Sequence, residues 1–281
     1  MTRSPIVSTE WLAERLDAPD IRVADASWYL PQAERNARQE YDSAHIPGAV
    51  FFDIDDLSDD KSPLPHMLAP APKFASRMRR LGLGDGNTIV VYDGAGIYSS
   101  PRAWWMLRAM GHEDVFVLDG GLPKWKREGR PIEDLPPRPF PRHFTPRPNN
   151  AIVRDFAQVA HCRDTQSALI VDARSSSRFL GKEEEPRPGV RPGHIPGALN
   201  IPYTELTGSD GILKPVAELR DVFGTHGVNP ASPIITTCGS GITAATLMLA
   251  LTAAGATHVA LYDGSWADWG ARRDAPIETG E

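Results

Sequence analysis

The chain has 281 residues, enough for one large domain or two ordinary ones, each able to bury a core without disulfide or metal staples. Its two cysteines exclude a disulfide framework, their spacing matches no zinc motif, and 41% hydrophobic with 23% charged residues excludes a disordered chain. A net charge of −6, from 36 acidic and 30 basic residues, argues against nucleic acid as a main partner.

In chain order, the N-terminus (Met1-Thr2-Arg3-Ser4-Pro5-Ile6-Val7) lacks an apolar signal core and reads as mature protein. Arg22-Val23-Ala24-Asp25-Ala26 and His45-Ile46-Pro47-Gly48-Ala49 come next. The patterns at residues 72–81 and 101–110 predict helices, and the short β-branched runs at 89–92 and 115–118 predict buried strands. Residues 131–148 hold seven of the 26 prolines, which stiffen the chain and remove backbone donors, so this stretch predicts an extended linker. Strands are then expected at 168–171, 234–237 and 259–262. The apolar run at 242–254 is too short for a membrane span and predicts a buried helix, starting near residue 243.

These blocks occur twice. His194-Ile195-Pro196-Gly197-Ala198 repeats the earlier pentapeptide letter for letter at an offset of 149. Leu169-Ile170-Val171-Asp172-Ala173 answers the block at 22–26, and the strand and loop at 234–242 answer those at 89–97. The closing Tyr262-Asp263-Gly264-Ser265 answers Leu118-Asp119-Gly120-Gly121. Four blocks in one order imply two homologous domains, 1–130 and 149–281, joined by the linker at 131–148. Strands alternating with helices predict an α/β fold with a parallel sheet in each half, whose ligands bind beyond the strands' carboxyl ends.

One such end carries Cys238-Gly239-Ser240-Gly241-Ile242-Thr243 between a strand and an Ala/Leu-rich helix. Glycines let successive N–H groups turn inward, and the helix N-terminus adds free donors. A cysteine on that rim is expected to be a reactive thiolate with a lowered pKa. Cys162, in a polar stretch without a glycine loop, lacks this setting. The first copy has Asp93 where the second has Cys238, so only one loop is equipped for thiol chemistry. No arginine closes the loop and no histidine precedes the cysteine, which disfavours a phosphatase; a protease would need a histidine base beside the thiol.

The paired His-Ile-Pro-Gly-Ala motifs, Val171-Asp172-Ala173-Arg174, the cysteine loop and Tyr262-Asp263-Gly264-Ser265-Trp266 resemble the tandem rhodanese-domain sulfurtransferases over nearly the whole chain. The neutral loop is similar to that of the 3-mercaptopyruvate branch; the thiosulfate branch carries Arg and Lys where Gly239 and Ser240 stand. The resemblance implies two tandem rhodanese-like domains, each a parallel sheet flanked by helices, and sulfur transfer through a Cys238 persulfide. It implies a carboxylate clamp of Arg178 and Arg187, with Arg191 as an alternative second arm, and a polar relay of Asp55, His66 and Ser240, although Asp53 and Asp56 crowd Asp55. Gly239, Gly241, Ile242 and Thr243 would complete the donor site, with no metal or organic cofactor. A monoanionic keto acid suits a neutral loop with distant arginines, because arginine binds carboxylate bidentately. The implied partners are a small sulfur donor and a thiol acceptor such as thioredoxin, a small thiol or cyanide, with no nucleic acid and no membrane. The expected location is a reducing cytoplasm. His45, His194, Asp172 and Arg174 read as architectural. Thiosulfate as preferred donor and a persulfide-carrier role remain as alternatives.

Overall fold

The structure, a computed structural model, describes residues 4–280; residues 1–3, part of the N-terminus read above, lie outside the described residues. The first half places β1 (Ile6–Val7), β2 (Ile21–Asp25), β3 (Val50–Phe51), β4 (Thr88–Tyr92) and β5 (Val115–Leu118) in one parallel sheet of order β1-β5-β4-β2-β3. Helices α1 (Thr9–Ala13), α2 (Ala37–Ser43), α3 (Ala71–Arg80), α4 (Ser100–Ala109) and α5 (Gly121–Arg127) flank it. The second half repeats the plan with β6 (Val153–Arg154), β7 (Leu169–Asp172), β8 (Leu199–Asn200), β9 (Ile234–Thr237) and β10 (Val259–Tyr262) in the order β6-β10-β9-β7-β8, again all parallel. Its helices are α6 (Phe156–Thr165), α7 (Ser176–Phe179), α8 (Val216–Thr225), α9 (Ile242–Ala253) and α10 (Ser265–Trp269).

The expected strands and helices therefore form within one or two residues of the expected limits. Every residue of β4, β5, β9 and β10 is buried, as strands covered on both faces must be, and continuous apolar runs made them legible. The two-residue edge strands β1, β3, β6 and β8 were too short to carry a pattern.

Helices α4 and α9 follow equivalent loops and pack against each other across the two halves. Both are buried almost all round, nine residues of α9 being buried, so neither keeps a solvent face. One apolar cluster runs through this contact from Val91 and Trp104 of the first half to Leu247 and Leu261 of the second. Two smaller clusters lie on the outer faces, around Trp125 and around Trp266 with Trp269. Among the described residues no helix is long and apolar enough to cross a membrane.

Residues 131–148 form no helix or strand and lie along the first half. His45 and Glu133 exchange backbone hydrogen bonds of 2.9 Å, as His194 and Glu278 do at 2.9 and 3.1 Å. Each of these histidines sets Nδ1 on a backbone carbonyl, Tyr41 O at 2.7 Å or Phe179 O at 2.8 Å, which is a structural duty. Phe144 is buried beside Phe74, and Asp85 N donates to His143 O at 2.8 Å. A Cβ at Gly84 would fall 2.2 Å from His143 O, so only glycine lets the strap lie this close.

Candidate active site

The strand β9 ends at Thr237 and the loop Cys238–Gly241 turns into α9. Gly241 makes the turn with φ +83°, a left-handed conformation, and a Cβ there would lie 2.7 Å from Arg102 Nη1. Its N–H points at the Cys238 sulfur, 3.1 Å away. Helix α10 holds the loop from behind: Trp266 N donates to Cys238 O and Ala267 N to Gly239 O, both at 2.9 Å. Cys238 N donates to Ser265 Oγ at 3.3 Å, and that hydroxyl donates to Tyr262 O at 2.8 Å. Cys238 thus sits on a fixed loop, 2% exposed, with the Gly241 N–H placed to hold negative charge on its sulfur.

Across the boundary between halves, Ser240 meets His66. The ring Nδ1 lies 3.0 Å from Ser240 Oγ, and Nε2 lies 3.3 Å from Asp55 Oδ1. A carboxylate only accepts, so in the neutral ring Nε2 carries the proton and Nδ1 faces the serine hydroxyl. Trp28 Nε1 donates to Asp55 Oδ2 at 3.2 Å, and its ring meets His66 edge-on at 4.7 Å. The His66 hydrogen bond holds the Asp55 carboxyl below the usual range, with Trp28 adding to the effect and desolvation opposing it. The neighbouring carboxylates are engaged elsewhere: Asp53 caps the backbone N–H groups of residues 55 and 56, and Asp56 pairs with Arg77.

His66 has φ +60°, and its carbonyl accepts from Arg102 Nη2. The same guanidinium pairs with Asp263 Oδ1 at 2.7 Å and reaches Gly241 O at 3.5 Å. Asp263 Oδ2 accepts from Leu68 N at 2.8 Å. Arg102 and Asp263 therefore clamp the segment bearing His66 onto the segment bearing Cys238. Neither was singled out as a site residue from the sequence; the signal available was their place in motifs beside the two loops.

The arginines gather on the second half. Arg178, on α7, approaches the loop closely enough that a Cβ at Gly239 would stand 3.1 Å from its Nη2. It pairs with Glu185, which also takes a 2.7 Å bond from Arg174 Nη1; Arg174 Nη2 in turn pairs with Asp172 Oδ2 at 2.7 Å. Burial lowers the pKa of Arg187; the charges of Cys238, Glu185 and Asp55 oppose this and that of Arg178 adds to it. Arg191 is occupied differently, donating to the carbonyls of Gly270 at 3.2 Å, Arg272, and Ala275 at 2.9 Å. Ile242 is buried in the core and Thr243 is half-buried at the helix start, so neither side chain joins the polar cluster. Tyr98 of the first half lies within the electrostatic field of Cys238 and Arg178, stacked obliquely on Tyr203 at 5.5 Å. Burial raises its phenol pKa. In the sequence Tyr98 stands out only as the start of the stretch Tyr98-Ser99-Ser100-Pro101-Arg102, which resembles the 3-mercaptopyruvate branch, and its phenol was not read there as a site group.

The equivalent loop of the first half is closed. The Asp93 carboxylate accepts from the N–H groups of Ala95, Tyr98, Ser99 and Ser100 at 2.8–3.0 Å and from Ser100 Oγ at 2.7 Å. It fills its own ring of donors. Gly96 packs on Gly211 so tightly that a Cβ would fall 2.8 Å from Gly211 Cα.

The model of the rhodanese-like domain matches residues 8–128 and again 155–272. The 3-mercaptopyruvate sulfurtransferase of Escherichia coli (strain K12) is 47% identical over 283 residues, covering 99% of each chain. The thiosulfate sulfurtransferase of Rattus norvegicus is 41% identical over 281 residues, covering 98% of this chain and 94% of its own. The crystal structure of SseA from Escherichia coli, a 3-mercaptopyruvate sulfurtransferase, superposes with a TM-score of 0.87 at 44% identity, covering 94% of this chain and 99% of that one. The chain belongs to the rhodanese family as a tandem sulfurtransferase, with two copies of the domain and a cysteine in the second loop alone.

Proposed function

We propose that the chain transfers sulfur from 3-mercaptopyruvate, through a persulfide on Cys238, to a thiol or cyanide acceptor. The observation that carries this reading is the buried Cys238 sulfur, held 3.1 Å from Gly241 N at the mouth of a neutral loop, with the Arg178 guanidinium beside Gly239. The N–H groups of the loop stabilise the thiolate, and Arg178 with Arg187 holds the keto-acid carboxylate. The thiolate attacks the donor sulfur; the S–S bond forms as the C–S bond breaks, and the electron pair leaves on pyruvate enolate. The donor's S–H proton reaches the enolate carbon, with Ser240 and His66 placed to pass it and Asp55 orienting the imidazole. This leaves pyruvate and a persulfide anion under the loop N–H groups. An acceptor thiolate then takes the outer sulfur and restores the Cys238 thiolate, a two-step covalent route. A reducing cytoplasm would keep the sulfur available between turnovers.

The donor is tested by kcat/KM for 3-mercaptopyruvate and thiosulfate, measured side by side with one acceptor. The expected result is a clear preference for 3-mercaptopyruvate. A preference for thiosulfate contradicts the branch reading, and no turnover of either donor contradicts an enzyme in favour of a carrier.

A further inference from the structure

The arginine clamp has a carboxylate built into it. Glu185 has a side chain only 3% exposed, and it pairs with Arg174 and Arg178 at once. Asp172 takes the other face of Arg174. Two guanidinium groups, Arg174 and Arg178, thus share the one buried Glu185 carboxylate. Glu185 engages the Nε and Nη2 atoms of Arg178, and no protein group among the described residues bonds Nη1, which lies 3.7 Å from where a Gly239 Cβ would stand. An incoming anion meets this free edge next to the cysteine loop, with the buried Glu185 charge on the other side of the same guanidinium.

We propose that Glu185 is a specificity-determining residue: its buried negative charge, set directly behind Arg178, penalises a dianionic donor more than a monoanionic one. This rests on the functional reading above, since it concerns how the same site chooses between donors. The physical argument is that Coulomb energy scales with the product of the charges, so any added positive charge favours a dianion twice as much as a monoanion. Thiosulfate is a dianion; 3-mercaptopyruvate carries one carboxylate. An alternative role, holding Arg174 and Arg178 in place, would affect both donors alike.

The test compares the full chain with Glu185→Gln, which keeps a carbonyl to accept from the arginines while removing the charge. The ratio of kcat/KM for thiosulfate to that for 3-mercaptopyruvate, with cyanide as acceptor, is expected to rise about tenfold or more in the variant. An unchanged ratio, with both donors depressed equally, overturns the proposal. If the wild-type chain does not use 3-mercaptopyruvate, the functional reading itself falls, which is a separate outcome. Should this variant fail to fold, Glu185→Ser, small enough for water to take the place of the carboxylate, is read by the same ratio. A rise is again expected, and an unchanged ratio overturns the proposal.

Discussion

Asp25 and Asp172 occupy the same place in the two copies, yet their surroundings are opposite. Asp172 is bonded to Arg174 two residues on; the first copy has Ser27 there, whose N–H donates to Asp25 Oδ1 at 2.9 Å, and among the described residues no guanidinium pairs with Asp25. Burial pushes the Asp25 carboxyl up to about 6, with hydrogen bonds from Ser27 and Tyr92 only partly opposing it. The folded chain therefore holds this proton more tightly than the unfolded chain does. The stability it contributes is present at low pH and is lost as pH rises from about 4 through about 6. Asp25→Asn, which cannot ionise, is expected to gain about 1 kcal/mol on the wild type between pH 5 and pH 7.5, read by chemical denaturation. No relative change between the two pH values contradicts it. At this scale the sequence was informative where chemistry is local. A thiol on a glycine loop is legible, but the meeting of Ser240 with His66, 174 residues apart, needed the fold. Glu185 was legible only as a neighbour of Arg187, because its partners Arg174 and Arg178 reach it through side chains.

The loops and short helices around Cys238 show what position demands of residue type. Gly121 of the first copy and Ser265 of the second share a left-handed conformation, φ +52° and +50°. A serine there costs about 1 kcal/mol or more in backbone strain, and its hydroxyl gains the Cys238 N–H. The strain is accepted where the loop is reactive and avoided with glycine where it is not. Arg102, on α4, is fully buried and its partner Asp263 is 5% exposed. Removing one charge from such a pair leaves the other unpaired in a low dielectric, a loss of about 3–5 kcal/mol. Asp263→Asn is therefore expected to lower the unfolding free energy by about 3 kcal/mol, since Arg102 loses its counter-ion. Denaturant titration checks this, and a loss below about 1 kcal/mol contradicts the clamp. The central strands and the buried helix at 242–254 were legible because their apolar runs are continuous. The edge strands and α10 were not, since two to five residues show no period.

The duplication was written in the sequence as repeated blocks, but nothing in a repeat says which faces of the two copies meet. The lack of any charged residue in α9, whose polar side chains are three threonines, was the one hint that this helix is enclosed. In the assembled chain the contact is reciprocal. Asp263 of the second copy accepts from Leu68 N of the first at 2.8 Å, and Asp119 of the first accepts from Leu213 N of the second at 3.0 Å. Symmetry fails at the two loops. One presents Cys238 to Ser240, His66 and the arginines, while the other is filled by the Asp93 carboxylate and sealed by Gly96 against Gly211. A duplicated fold thus carries a cysteine in one loop only, and the first copy places His66, Asp55 and Arg102 beside that loop; in the proposed reaction these would serve the Cys238 sulfur. The central claim is tested most directly by intact-protein mass spectrometry after exposure to 3-mercaptopyruvate. The account predicts a gain of about 32 Da, one sulfur atom per chain, mapped to Cys238 and removed by an added thiol. No adduct, or an adduct on the half-buried Cys162 with Cys238 unmodified, would contradict it.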